Sequence, residues 1–208
     1  QSGAPSFGGP QSALGLLCSG QVARRFGLPW RAGGGALTSS PVPDAQAAYE
    51  GLTTMTAAFL AGSNLVLHTA GWLESGLVAS VEKAVVDLEL ARVLRDEFTP
   101  LEIDESSLAF DAHAEVGPGG HFFGAAHTLA RFRDSFYRPL VSTTSGFDQW
   151  QENGSLDAAA RASTVWERLM AGYEQPALDG GVAAELERFV TRRAAELGHA
   201  ERPWLVRA

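Results

Sequence analysis

Residues 63–69 read Ser63-Asn64-Leu65-Val66-Leu67-His68-Thr69, a near-continuous apolar run that ends at a histidine. Such a run predicts a strand buried on both faces, as in a parallel sheet covered by helices. Working outward, Asp44 to Ala61 carries a helical pattern. Asp44 follows Pro43 as a plausible N-cap, and Gly62 stands where the helix should stop. Before it, Leu28-Pro29-Trp30-Arg31 predicts a short strand that runs into Gly33-Gly34-Gly35. The first helix is expected from Gln11 to Phe26, with Leu14, Leu17, Cys18, Val22 and Phe26 as its apolar stripe and Gly27 as its end. A third helix, Ser80 to Phe98, follows the loop AGWLESGLVA (residues 70–79). Helix, strand, helix, strand, helix at short spacing is the rhythm of an α/β protein with a parallel sheet. A half barrel and a doubly wound sheet both fit that rhythm.

After Pro100 the pattern turns mostly helical. Helices are expected over Asp104–Val116, Thr128–Phe136, Leu156–Tyr173 and Val182–Leu197. A helix start is expected at residues 145–150, with Ser145 and Asp148 spaced as a capping box. Val165, Leu169 and Tyr173 form one apolar stripe; Leu186, Phe189, Val190 and Leu197 form another. Arg202 to Ala208 are expected to be a tail. The expected organisation is therefore βα units over residues 1–100 and a mostly helical extension over 101–208. The opening QSGAPSFGGPQ begins with Gln1 and is loop-like, as in the middle of a longer protein.

Composition narrows the function classes. A chain of 208 residues is long enough for a sizeable core, burying roughly 70% of its unfolded surface. A net charge of −8 argues against nucleic acid as a partner, since phosphate binding needs a basic surface. No apolar run is long enough to span a bilayer, so no membrane association is expected. Cys18 is the one cysteine, which fits a cytoplasmic protein and excludes an internal disulfide.

Several residues carry candidate chemistry. His68 falls at the predicted C-terminal end of a strand, where βα folds place ligands, and an imidazole there can hold a carboxylate or move a proton. Its structural alternative is to satisfy a backbone group. Trp72 and Glu74 follow directly; an aromatic face beside a carboxylate suits a quaternary ammonium, which has no N–H to donate. Packing for Trp72 and simple solvation for Glu74 are the alternatives. Arg31 sits at the previous strand end, where its guanidinium can clasp a carboxylate or pair with Asp44 or Glu50. His113, His121 and His127 match no zinc signature, so no metal is expected. Gly33–Gly35 lack the Lys-Ser/Thr ending of a phosphate loop, and Ser39 and Ser40 lie in no nucleophile elbow. Arg192 and Arg193 are most simply a solvated helix face.

Three stretches together resemble the trimethylamine methyltransferase family: SSPVPDAQAAYE (39–50), HTAGWLESGLVAS (68–80) and EVGPGGHFFGAAHTLARFRDSF (115–136). The resemblance runs nearly the whole chain and implies the C-terminal part of a TIM (β/α)8 barrel followed by a helical C-terminal extension, in members more than twice this long. It implies methyl transfer from a methylated or quaternary amine to the Co(I) of a corrinoid carried by a separate protein. No pyrrolysine occurs in this stretch, which points to the quaternary-amine subgroup, of glycine betaine type. On that reading His68 and Glu74 are the catalytic candidates, and Arg31, Trp72, His121 and Phe122 bind substrate, with His121 and Phe122 near the barrel mouth. A truncated or degenerate relative that keeps only a packing or docking role is the alternative. In that case two copies could combine their halves as a homo-oligomer.

Overall fold

The apolar run at residues 63–69 forms only a two-residue strand, and its neighbours explain why. In this computed structural model, which describes residue 3 and residues 5–198, the chain is a mixed α/β structure dominated by helices. Helix α1 (Pro10–Arg25) leads to strand β1 (Arg31–Ala32), α2 (Ala45–Leu60) and β2 (Leu65–Val66). A small antiparallel hairpin, β3 (Trp72–Leu73) with β4 (Val78–Ala79), precedes α3 (Val81–Glu97). Strands β1 and β2 pair in parallel, Arg31 with Leu65 and Ala32 with Val66, with α2 as the crossover. This is one βα unit of the expected kind.

The expectation of burial on both faces does not hold within this chain. Leu65 and Leu67 alternate onto one strand face, and both are exposed, because β2 pairs with β1 alone among the described residues. Helix α1 gives a second correction. Its stripe of large apolar residues points away from α2: Leu14, Cys18, Val22 and Phe26 are exposed, while Ala13, Gly20 and Ala23 are buried. A Cβ on Gly20 would lie 2.4 Å from the carbonyl oxygen of Ala61, so the glycine is what lets the two backbones meet. Arg24 Nη1 donates to that same carbonyl.

Caps agree with the sequence where a side chain is placed to accept. The Asp44 carboxylate accepts from Ala47 N at 3.0 Å, and Ser80 Oγ accepts from Lys83 N at 3.1 Å. Beyond residue 100 the boundaries shift. The expected helix 104–116 is two pieces, α4 (Glu105–Leu108) and α5 (Phe110–Val116), broken at Ala109, whose φ is +52°. The capping box forms at Asp104 and Ser107 and starts α4, which left-handed Ala109 ends after four residues. The one expected at Ser145 and Asp148 does not form, since Gly146 takes the N-cap of α7 (Phe147–Glu152) without a side-chain bond. Helix α6 (Ala126–Arg131) stops before Phe132, so residues 132–136 turn instead of continuing it.

Two apolar clusters hold these elements. Ala36, Met55 and Leu94 join the loop after β1 to α2 and α3. Val85, Val141, Ala162 and Val165 join α3 to helix α8 (Ala158–Ala171) and the segment before α7. Glu82 strengthens that second contact by accepting from Ser163 Oγ and Trp166 Nε1. The chain divides into two compact units, Gln1–Met170 and Ala171–Ala208. The second holds α9 (Gly180–Glu196), capped by Asp179, with Arg192 and Arg193 both paired to Glu196. Its stripe, Leu186, Phe189, Val190 and Leu197, is exposed. The tail expected at residues 202–208 lies outside the described residues.

Candidate functional site

Two loops leave the same end of the parallel pair and lock onto each other. The first joins β1 to α2 (residues 33–44); the second joins β2 to α3 (residues 67–80). Backbone bonds stitch them: Gly35 N donates to Leu67 O at 3.3 Å, Ala36 N to His68 O at 3.4 Å, Glu74 N to Ser40 O at 2.8 Å and Ser75 N to Thr38 O at 2.7 Å. The second loop is strained. His68, Glu74 and Ser75 have φ of +56°, +49° and +57°, the left-handed region that non-glycine residues avoid at a cost of order 1–3 kcal/mol each. Such conformations persist where surrounding bonds over-determine them, and the four bonds above do so.

Buried charge sits beneath this junction. Lys83 and Asp87, one turn apart on α3, are both wholly buried and form an ion pair. Lys83 Nζ also donates to Ala36 O in the first loop at 3.1 Å, and Asp87 Oδ2 accepts from Gly71 N in the second at 2.9 Å. Burial pushes the Asp87 carboxyl up to about 6, against the opposing pull of Lys83 and the Gly71 N–H. Burial also lowers the Lys83 ammonium from its ordinary value, with Asp87 and Glu50 opposing. Glu50 organises the first loop: its Oε2 accepts from Thr38 Oγ1 at 2.6 Å and Ser39 N at 2.8 Å, and its Oε1 accepts from Gln46 Nε2 at 3.0 Å. Ser40 Oγ bonds Asp44 at 2.9 Å.

On this frame the structure brings His68 and Trp72 together, ring edge to ring face with centroids 5.7 Å apart. His68 is exposed and Trp72 half-buried, so an aromatic surface remains open to a ligand. Glu74 is exposed two residues beyond Trp72, at the start of the turn that closes the β3–β4 hairpin. Arg31 is exposed on β1. The ion pair with Asp44 or Glu50 that the sequence allowed does not form, because Asp44 caps α2 and Glu50 is engaged by the 38–39 loop; among the described residues Arg31 has no ion pair.

His121 and Phe122 lie at the turn before α6. With Phe123, Leu129, Phe132 and Phe136 they line an apolar hollow. Phe122 meets the ring of His113 at 5.1 Å and His121 meets Phe123 at 5.5 Å. No hydrogen bond, ion pair or ring contact among the described residues joins this hollow to His68, Trp72 or Glu74. His127 Nε2 donates to Ser106 O at 2.9 Å and is thereby committed to a backbone group. Among the described residues, no group of three His, Cys, Asp or Glu side chains is placed to hold a metal ion, and no helix is long and apolar enough to cross a membrane.

Lys83 and Asp87 carry no candidate chemistry in the sequence, and Glu50 enters there only as an alternative partner of Arg31. A signal was present: residues 83, 87, 90 and 94 share one helical face, and Leu90 and Leu94 pack into the core. Two charges on the continuation of a core face have to be buried and paired.

The chain is similar in sequence to known proteins along most of its length. The family model described as trimethylamine methyltransferase matches residues 1–198. The chain is 41% identical to a glycine betaine methyltransferase of Desulfitobacterium hafniense (strain Y51), covering 95% of this chain and 41% of that protein. It is 31% identical to a trimethylamine methyltransferase of Desulfitobacterium hafniense (strain DSM 10664 / DCB-2), covering 89% and 37%. A trimethylamine methyltransferase of Methanosarcina mazei is 25% identical, covering 92% and 38%. The chain thus spans about two-fifths of the length of these relatives. With a family model matched along 198 residues, this chain belongs to the trimethylamine methyltransferase family.

Proposed function

We propose that this chain carries part of a corrinoid-dependent methyltransferase, which moves a methyl group from a quaternary amine of glycine betaine type to a corrinoid on a separate protein. The observation that carries the reading is the open His68–Trp72 pair, held with Glu74 on the loop that follows β2 and bonded to the loop that follows β1. We further propose that β1, α2, β2 and α3 are late βα units of a TIM barrel. The exposed face of Leu65 and Leu67 supports this, since closure into a helix-covered barrel would bury it.

A quaternary ammonium is recognised without donor hydrogen bonds. The Trp72 ring offers its negative face, worth about 2 kcal/mol where desolvated, and Glu74 adds a complementary charge. Arg31, without an ion pair among the described residues, suits a carboxylate at the other end of a betaine. His68 orients the substrate by hydrogen bonding and fixes the tilt of Trp72. The departing group is a neutral tertiary amine, so no residue has to deliver a proton, and the work of the site is positioning and exclusion of water. When bound, the corrinoid supplies the Co(I) nucleophile that accepts the methyl group. Exposed Phe122, Phe123, Phe132 and Phe136 with His121 fit an apolar docking face for the protein that carries it. No directly bound metal is proposed. The cytoplasm is the proposed compartment, which suits a chain with Cys18 as its one cysteine.

The test is anaerobic methyl transfer by the complete gene product that contains this chain. It is mixed with a Co(I) corrinoid protein and offered glycine betaine, proline betaine, carnitine or trimethylamine. Donor-dependent loss of the Co(I) absorbance is expected, largest with a betaine. No loss with any donor, given folded protein and competent corrinoid, would sink the proposal. His68→Ala is expected to lower kcat/KM at least about tenfold, the loss of roughly 1.4 kcal/mol of transition-state binding. An unchanged value removes His68 from the site.

A further inference from the structure

Lys83 and Asp87 bury two charges where an apolar pair of similar volume would serve stability as well or better. What an apolar pair cannot do is hold two particular backbone atoms. Lys83 Nζ bonds Ala36 O, next to the Gly33–Gly35 turn, and Asp87 Oδ2 bonds Gly71 N, directly before Trp72. One ion pair on α3 therefore ties down both loops of the site at once. Gly71 has φ of +83°, and a Cβ there would lie 3.1 Å from Ser80 O and 3.2 Å from Ala84 Cβ, so this stretch is pressed against the start of α3. On either side of Gly71 stand the strained residues His68, Glu74 and Ser75. Backbone bonds to the first loop hold those residues, but Gly71 N is held by Asp87.

We propose that Lys83 and Asp87 are positioning residues for the substrate loop: through Ala36 and Gly71 they set where Trp72 and His68 stand. The inference rests on the reading above, in which residues 68–75 face the methylated amine. Neither side chain reaches the substrate, and their effect is transmitted through the backbone of the two loops.

The double variant Lys83→Met/Asp87→Leu separates this role from mere support of the fold. It fills the same space without the directional bonds. In the complete gene product, melting temperature is expected to stay close to that of the native protein. Hydrogen exchange at the Gly71 amide is expected to rise about tenfold or more, since its closing bond is lost. KM for the betaine should rise about tenfold while kcat changes less than about threefold, the signature of lost ground-state positioning. Val165→Ala, a core truncation away from the loops, lowers stability without moving Gly71 exchange or KM. If the double variant fails to fold, Asp87→Asn takes its place: it keeps shape and an acceptor oxygen, and is expected to speed Gly71 exchange about threefold. Native-like Gly71 exchange and KM in the folded variant, or equal effects from Val165→Ala, would overturn the proposal. If no amine is turned over even by the native protein, the functional reading fails, whereas the exchange arm still decides whether the pair holds the loop.

Discussion

Burial and charge pairing oppose each other at Asp87, and burial wins. Removing the carboxylate from water raises its pKa to about 6 from the ordinary 3.8, even with Lys83 beside it and Gly71 N donating to it. Glu89 shows the opposite balance. Burial again pushes it up, but hydrogen bonds from Leu140 N, at 2.5 Å, and Val141 N, at 3.2 Å, outweigh that and hold it below its ordinary 4.5. The linkage signs differ accordingly. Asp87, raised in the fold, contributes stability that is complete below about pH 3.8 and is lost as pH rises through about 6. Glu89, depressed in the fold, contributes stability present above pH 4.5 and lost as pH falls through its lower folded value. Carbon-13 titration of the side-chain carboxyls should place the Asp87 midpoint near 6 and the Glu89 midpoint under 4.5. Glu89→Gln should flatten the acid side of the stability curve below pH 4.5. An Asp87 midpoint below 4.5 would mean that Lys83 dominates instead.

Helices α1 and α2 meet through small residues, and this determines how a mutation there acts. Alanine at Gly20 would gain about 1 kcal/mol of helix propensity. Its Cβ would fall 2.4 Å from Ala61 O and 2.7 Å from Ala61 Cβ, where backbone has to move. Overpacking of this kind costs about 1–3 kcal/mol and commonly exceeds the gain. Gly20→Ala is therefore expected to lower the melting temperature by about 2–6 °C for a domain of this size. Gly15→Ala, on the same helix with open space around its Cβ, should raise it slightly. A stabilised Gly20→Ala protein would show that the two helices are free to separate. The same packing explains why the apolar stripe of α1 was misleading. Periodicity located a helix correctly, but the face that touches α2 is the one with Ala13, Gly20 and Ala23. The reach of a large side chain is no advantage where two backbones must nearly touch.

Large apolar side chains are exposed in several places: Leu14, Val22 and Phe26 on α1, Leu65 and Leu67 around β2, and Phe122, Phe123, Phe132 and Phe136 around the hollow. Contiguous apolar surface of this kind is where proteins meet partners or further parts of themselves. Expressed alone, residues 1–208 should enhance the fluorescence of a dye that binds apolar surface and should self-associate in a concentration-dependent way. The complete gene product should do both less. An isolated chain that stays monomeric and leaves the dye dark would mean that these faces close on one another in solution.

The sequence by itself determined the local elements and the family. Asp44 and Ser80 cap helices because a short side-chain oxygen before an apolar periodic run has a backbone N–H to accept. The parallel β1–β2 pair follows from two short apolar segments flanking a helix. His68, Trp72 and Glu74 were legible as a group because they are close along the chain. Tertiary structure alone decided what depends on distant partners. It buried Lys83 and Asp87 against carbonyl and amide groups 47 and 16 residues away. It broke the 104–116 helix at Ala109 and gathered His121 and Phe122 with Phe132 and Phe136 into an apolar hollow. Periodicity and caps are local, within a few residues of the chain, whereas burial of a charge depends on which backbone groups the fold brings to it.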